Sequence, residues 1–130
     1  GGMVMSAPFI KINGVPLPAP KQGLEYTVTT TVDSGRNANA QVTGSKVGRD
    51  QLKLSNLEWA HLDAQTWSRA LREFEKFNCY IEVIDPVTLT WIGRYFYPGD
   101  RTFTLWKVDK ETGMPLEYID CKCNLIDMGY

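Results

Sequence analysis

Residues 24–59, LEYTVTTTVDSGRNANAQVTGSKVGRDQLKLSNLEW, decide the fold of this chain, because two strand patterns flank a long polar segment. In residues 24–32 the side chains alternate between two faces, which is typical of a strand with one buried face. The alternation resumes at Leu52 and Leu54. Residues 33–50 between the two patterns are rich in Gly, Asn and Ser and offer no apolar anchor. A long loop of this kind usually contacts another molecule, so we predict that it extends from the two strands to bind a partner.

In the strand pattern that follows the loop, the apolar side chains switch from even-numbered to odd-numbered positions. Leu52 and Leu54 share one face, whereas Leu57 and Trp59 share the other. A two-residue period cannot shift in this way without an extra residue, so we predict a β-bulge or bend near Ser55-Asn56.

The N-terminal part of the chain predicts a short strand and an extended run. Residues 9–12, FIKI, form the strand pattern and lead into a tight Asn13-Gly14 turn. Residues 15–20, VPLPAP, alternate proline with apolar residues. Because proline cannot donate a ladder hydrogen bond, this run predicts an extended arm or a sheet edge.

One helix is well marked. Asp63 is a good N-cap, and Leu62 and Trp67 occupy the positions of a hydrophobic staple. The predicted helix ends at Asn78, and its apolar residues fall at helical spacing on one face: Trp67, Ala70, Leu71, Phe74 and Phe77. A single helix must bury such a face, so we predict that it packs against a sheet.

Four strands follow the helix, at Cys79–Ile84 and at residues 89–97, 102–108 and 116–125. Their short, turn-rich connections predict antiparallel pairing, since parallel neighbours need long crossovers. The predicted fold class is therefore α+β: an antiparallel β-sandwich or half-open barrel with one packed α-helix and a long β-hairpin extension.

The composition is that of an ordinary globular chain. The 130 residues carry a formal net charge of −1 with both signs interspersed, so neither nucleic acid nor a membrane is an expected partner. No apolar run approaches the roughly 20 residues that span a bilayer. We predict that residues 1–8 are a tag remnant and a disordered N-terminus, and that residues 9–130 form a single domain.

The sequence predicts no catalytic, metal or cofactor site. Cys121 and Cys123 fall on the inner face of one strand and Cys79 opens another, which predicts three buried free thiols. A zinc site that combines the cysteines with His61 is the alternative, but the knuckle spacing typical of zinc is missing. His61 is the only histidine, and the pattern favours a surface or capping role over general-base catalysis.

Aromatic side chains are concentrated in the late strands. Trp91, Tyr95, Tyr97 and Trp106 are candidates for an exposed aromatic surface that binds carbohydrate. A subunit interface over the same strands predicts the same pattern and is the favoured interpretation.

Several short segments together resemble one family of proteins. The chain is similar to small prophage and tailed-phage proteins of Gram-positive bacteria that are encoded among tail genes, and the resemblance spans residues 10–127. It is carried by turns and aromatic residues: Ile10-Lys11-Ile12-Asn13-Gly14, Arg36-Asn37-Ala38-Asn39-Ala40, Val47-Gly48-Arg49-Asp50, Leu57-Glu58-Trp59, Leu62-Asp63, Trp67, Asp85-Pro86 and Tyr97-Pro98-Gly99-Asp100-Arg101.

The resemblance implies a non-enzymatic structural subunit of a virion tail that is assembled in the cytoplasm of the bacterial host. The order of elements is similar to that of tail-tube and tail-hub subunits, in which a hairpin extension reaches a neighbouring subunit. By this analogy the chain associates with itself in a ring or with other tail proteins. The candidate contacts in the loop are Arg36, Asn37, Asn39, Gln41, Lys46 and Arg49. Those in the proline-rich arm are Val15 and Leu17.

Overall fold

The computed structural model describes residues 7–36, 42–46 and 48–130, and for residues 33–36, 42–43 and 45–46 it describes the backbone alone. The predicted N-terminal remnant therefore lies mostly outside the described residues. One helix, α1 (Ala64–Phe74), stands among the strands. The strands are β1 (Ile10–Ile12), β2 (Val15–Leu17), β3 (Glu25–Thr29), β4 (Val32–Arg36), β5 (Val42–Lys46), β6 (Gln51–Ser55), β7 (Glu58–Asp63), β8 (Cys79–Ile84), β9 (Trp91–Val108) and β10 (Pro115–Asp127).

The main sheet is antiparallel and has the order β2-β1-β8-β9-β10-β6-β3. The long strand β10 pairs with β9 along one side, and with β7 and then β6 along the other. Strands β4 and β5 pair with each other in a separate two-stranded sheet. The main sheet curls into a half-barrel against which α1 packs, so the predicted antiparallel β fold with one helix is confirmed at this level.

The predicted break in the strand after the loop is confirmed at Asn56, between β6 and β7. Asn56 has a left-handed backbone with φ of 60°. Leu54 pairs with Leu125 before the break, and Trp59 pairs with Cys121 after it. The extra residue lets leucines of opposite parity point into the same core.

The predicted N-terminal turn is also confirmed. Asn13 and Gly14 have φ of 49° and 85°, the left-handed pair that a two-residue hairpin turn requires. The turn joins β1 to β2, which pair through Ile10–Leu17 and Ile12–Val15. Strand β2 ends the main sheet, as the alternating prolines predict for a sheet edge.

Two predicted strand boundaries are wrong. Residues 91–108 form one strand rather than two, because Pro98 lies opposite Leu125 beside a register shift that accommodates the proline. Residues 24–32 form parts of two strands rather than one, since β3 ends at Thr29 and β4 begins at Val32. Between β3 and β4 the Thr30 hydroxyl donates to the Asp50 carboxylate at 2.7 Å. This hydrogen bond links the chain before the extension to the chain after it, where the β-ladder is interrupted.

The helix begins where the sequence predicts and ends early. The Asp63 side chain accepts from the Thr66 backbone N–H at 3.1 Å, as an N-cap does. Trp67, Ala70 and Phe74 are buried, as predicted. Phe77 is 56% exposed, contrary to prediction, because its left-handed backbone, with φ of 63°, turns the chain into β8 before another helical turn forms.

The core lies between α1 and the concave face of the sheet. Its fully buried large side chains come from all parts of the chain: Ile10, Ile12, Leu17, Leu54, Leu57, Trp59, Trp67, Phe74, Ile81, Val83, Phe96 and Leu125. At its centre the rings of Trp59 and Trp67 lie 6.0 Å apart, and Trp67 meets Phe74 edge-on at 6.3 Å.

Candidate assembly surfaces

Exposed apolar side chains are concentrated at the far end of the β9–β10 hairpin. We call residues 103–119 the distal ribbon. Here β9 has only β10 beside it among the described strands, since β8 pairs with residues 91–96 alone. The exposed fractions of Leu105 and Trp106 are 50% and 62%. Adjacent strand residues point to opposite faces, so apolar side chains occupy both sides of the distal ribbon.

More apolar side chains extend this surface toward the tip. Val108, Met114 and Leu116 are all exposed. A concentration of exposed apolar side chains on a globular protein marks a contact site or an aggregation liability.

The turn at the end of the distal ribbon is tightly hydrogen-bonded. The Asp109 side chain accepts from the Glu111 backbone N–H at 2.8 Å, and its own carbonyl accepts from the Gly113 N–H at 2.8 Å. Gly113 has φ of 75°, a conformation that glycine adopts without steric cost. This turn holds the two apolar strands together up to their ends.

The base of the distal ribbon is anchored to the helix. Phe103 meets Trp67 edge-on at 5.8 Å and Tyr118 at 5.1 Å. Between the ribbon and the outer side of α1 runs a groove of about 630 Å³, where Arg69 and Arg72 of the helix face Leu116. The apolar ribbon therefore has a cationic border on the helix side.

A second surface is aromatic and lies on the convex face of β8 and β9. The rings of Tyr80 and Tyr95 are 5.4 Å apart, and Tyr95 lies 5.8 Å from Tyr130. Tyr80 rests on Gly93, where any side chain would collide with its ring. Along the same face the Lys11 ammonium lies 5.6 Å from the Trp91 ring, within reach of a cation–π interaction.

The four aromatic residues predicted to form one surface do not come together. Trp91 and Tyr95 share the convex face, whereas Trp106 belongs to the distal ribbon. Tyr97 is half-buried and stacks on Phe77 at 5.3 Å. The sequence missed Tyr80, Phe77 and Tyr130, because a ring stack between distant segments has no local signature.

The predicted loop contacts fall into three groups. Asn37, Asn39 and Gln41 lie outside the described residues, and Arg36 and Lys46 are described by their backbones at the ends of β4 and β5. Arg49 is bound within the fold. Its guanidinium donates to both carboxylate oxygens of Asp127 at 2.6 Å and to the Tyr130 carbonyl at 3.0 Å.

Asp127 is the buried centre of that interaction. Burial opposes its ionisation, but hydrogen bonds from Arg49, from the Gly129 N–H and from the Leu52 N–H outweigh this effect, so the pKa of the carboxyl is lowered. Arg94 adds a second guanidinium 3.7 Å away. Arg49 thereby fixes the end of the extension to the last strand, a role that differs from the predicted partner contact.

The predicted contact residues of the proline-rich arm are also held by the fold. Leu17 is only 1% exposed and packs in the core, which corrects its prediction as a contact residue. Val15 is half-buried in β2. The carbonyl of Pro18 accepts from the Trp59 indole N–H at 2.8 Å, so the end of the arm is tied down.

The three cysteines are buried free thiols, as predicted. Burial raises the pKa of the Cys121 and Cys123 thiols to about 12, so both stay protonated at neutral pH. His61 lies 3.2 Å from a Glu117 carboxylate oxygen. Within the described ranges no group of three or more His, Cys, Asp or Glu side chains is arranged to hold a metal ion.

The described part of the chain has one helix, and it is too short and too polar to cross a bilayer. No protein-family model, no curated protein and no solved structure matches this chain.

Proposed function

We propose that the protein is a non-enzymatic structural subunit of a phage or prophage tail, assembled in the host cytoplasm, that associates with itself in a ring or with neighbouring tail proteins. The observation that carries the proposal is the distal ribbon, which presents Leu105 and Trp106 on opposite sides of the β9–β10 hairpin. Interface cores are enriched in Trp and Met, and both residues are exposed here in Trp106 and Met114.

The long polar hairpin between Ser34 and Gly48 is the second proposed contact. The pairing of β4 with β5 in a sheet of their own supports it, since this sheet is paired with none of the other described strands. In this proposal the distal ribbon supplies apolar contact area, and the polar hairpin supplies hydrogen bonds that fix the orientation of the neighbour.

The test is complementation in the host that encodes the protein. Deletion of the gene should leave particles without complete tails, and the wild-type gene should restore them. Trp106→Ser combined with Leu105→Ser should fail to restore tails while the purified variant keeps the melting temperature of wild type. Val87→Ser is the matched control, since Val87 is also exposed but lies in the β8–β9 turn. Complete tails in the absence of the gene would overturn the proposal.

A carbohydrate-binding module is the second candidate, supported by the convex aromatic face. Tyr95 and Trp91 present exposed rings there, and Lys11 adds a polar group at the border. Binding of bacterial cell-wall polysaccharide should then quench tryptophan fluorescence, and both Tyr95→Ala and Trp91→Ala should abolish binding. Polysaccharide binding that is unchanged in both variants would exclude this face as the site.

A further inference from the structure

The two end strands of the main sheet differ in how they present their open edges. A proline within a paired strand directs its missing donor to the open side, so Pro16 blocks the addition of a strand at β2. At the other end, β3 contains neither proline nor lysine. Among the described strands only β6 pairs with β3, which leaves one edge of β3 open.

The core does not fully cover the apolar side chains of β3. Tyr26 pairs with Leu54 and Val28 pairs with Leu52, and residues directly opposite each other in a sheet share a face. Leu52 and Leu54 are buried in the core, yet Tyr26 and Val28 are 37% and 44% exposed. The apolar face of β3 therefore points to the core side and is only partly covered by it.

We propose that this edge pairs with the β3 strand of a second copy, antiparallel and about a two-fold axis at Thr27, so that two main sheets join into one. In this register Tyr26 lies opposite the partner subunit's Val28, and Val28 lies opposite the partner subunit's Tyr26. The dimer contains two such aromatic–aliphatic pairs, a favourable cross-strand combination. Each copy completes the open edge of the other with main-chain hydrogen bonds.

The charges of β3 fit pairing with itself. Glu25 is its one charged residue, and in this register it lies opposite the partner subunit's Thr29. The two Glu25 side chains are four positions apart along the joined strands, about 13 Å, which keeps the like charges separated. Since β2 is blocked in both copies, edge pairing stops at two copies instead of continuing into a fibre.

The self-paired edge goes beyond the proposed tail function and does not depend on it. It uses residues 25–29, which lie outside both the distal ribbon and the polar hairpin. Failure of the dimer would leave the complementation test of the tail proposal unaffected, and failure of that test would leave the dimer intact.

Disulfide trapping tests the proposed register directly. Thr27 is exposed and lies at the two-fold axis, so Thr27→Cys places two thiols next to each other in the dimer. Under mild oxidation this variant should form a covalent dimer roughly tenfold faster than a randomly placed surface thiol, because pairing raises their effective concentration. Thr88→Cys is the matched control, since Thr88 is exposed in the β8–β9 turn. The native thiols are buried and do not interfere.

A second variant separates true pairing from chance collisions. Val28→Lys places a charge in the apolar contact, and added to Thr27→Cys it should lower the crosslinking rate to that of Thr88→Cys. In sedimentation the wild type should form dimers that Val28→Lys abolishes, with unchanged circular dichroism. The proposal is overturned if Thr27→Cys crosslinks no faster than the control, if Val28→Lys changes nothing, or if Thr27→Cys in a host extract couples to a different protein instead of to itself.

Discussion

The two halves of strand β9 are both rich in apolar and aromatic residues but have different environments. At Phe96 the strand pairs with both β8 and β10, and Phe96 is fully buried. In the distal ribbon the same strand has β10 alone beside it among the described strands, and Trp106 is largely exposed. An apolar strand becomes core or contact surface according to what packs on it. Within one strand the protein therefore combines a scaffold with a surface that is open to a neighbour.

The largest expected contrast between the buried core and the distal ribbon is in thiol reactivity. The Cys121 and Cys123 pKa values of about 12 lie above the ordinary 9.0, so their thiolate fractions at neutral pH should be lower by about a thousandfold. A cysteine placed in the distal ribbon by Thr104→Cys should react with a thiol reagent at the rate of a free thiol. Comparable native reactivity of Cys121 and the introduced cysteine would contradict the contrast.

The same raised pKa values predict alkaline destabilisation. The folded state favours the protonated thiols, so their contribution to stability is complete below the unfolded pKa near 9.0 and is lost as the pH rises toward about 12. Denaturant unfolding measured from neutral pH upward should show this decline. Cys121→Ala should reduce the pH-dependent part of the loss.

Two tryptophan variants test whether the core and the distal ribbon contribute differently to the free energy of unfolding. Trp67→Ala removes a fully buried side chain that touches Trp59, Phe74 and Phe103, and should lower the free energy of unfolding by about 3–5 kcal/mol. Trp106→Ala removes an exposed side chain and should change it by about 0.5 kcal/mol or less. Denaturant titrations of both variants measure the difference, and equal losses would show that the distal ribbon is part of the stabilising core.

The Arg49–Asp127 interaction tests whether the extension is fixed at its base. Arg49→Ala should cost about 2 kcal/mol, between the values for exposed and fully buried ion pairs, because Asp127 is buried whereas Arg49 is partly exposed. Arg49→Lys should recover only part of this stability, since an ammonium cannot donate in the bidentate geometry. Thermal unfolding of the two variants provides the measurement.

The loss of stability at acidic pH gives an independent check on the Arg49–Asp127 interaction. Because the folded pKa of Asp127 is lowered, its contribution is complete above the unfolded carboxyl pKa and is lost as the pH falls through the folded value. Arg49→Ala removes the guanidinium hydrogen bonds and should move the acid-unfolding midpoint to higher pH. An unchanged midpoint would mean that Asp127 does not depend on Arg49.

Removal of the polar hairpin should have the smallest effect on stability. Replacement of Ser34–Gly48 by an Asn-Gly turn should alter the free energy of unfolding by about 1 kcal/mol or less, because shortening a loop changes only its closure entropy. Melting temperature and circular dichroism should stay near wild type, while incorporation into tails should be lost. Incorporation at the wild-type level would remove the hairpin from the proposed contacts.

Sequence reasoning succeeded where a feature depends on neighbours along the chain. The Asn13-Gly14 turn, the Asp63 N-cap and the break at Asn56 follow from local backbone preferences and parity. It did not reveal that Leu17 is buried in the core or that Arg49 binds Asp127, because both features depend on distant partners. Both resemble surface residues in sequence, one in a proline-rich run and the other at the end of a polar loop.

The alternation of apolar and polar side chains is enough to predict an antiparallel β fold with one packed helix and three buried thiols, because local periodicity fixes which face of each element is apolar. Only the tertiary structure decided which apolar faces are covered. The core ends before Trp106 in β9 and before Tyr26 in β3, since the main sheet extends further than α1 and the remaining strands cover it. Whether a face is covered depends on the spatial arrangement of the whole chain, which sequence periodicity does not specify.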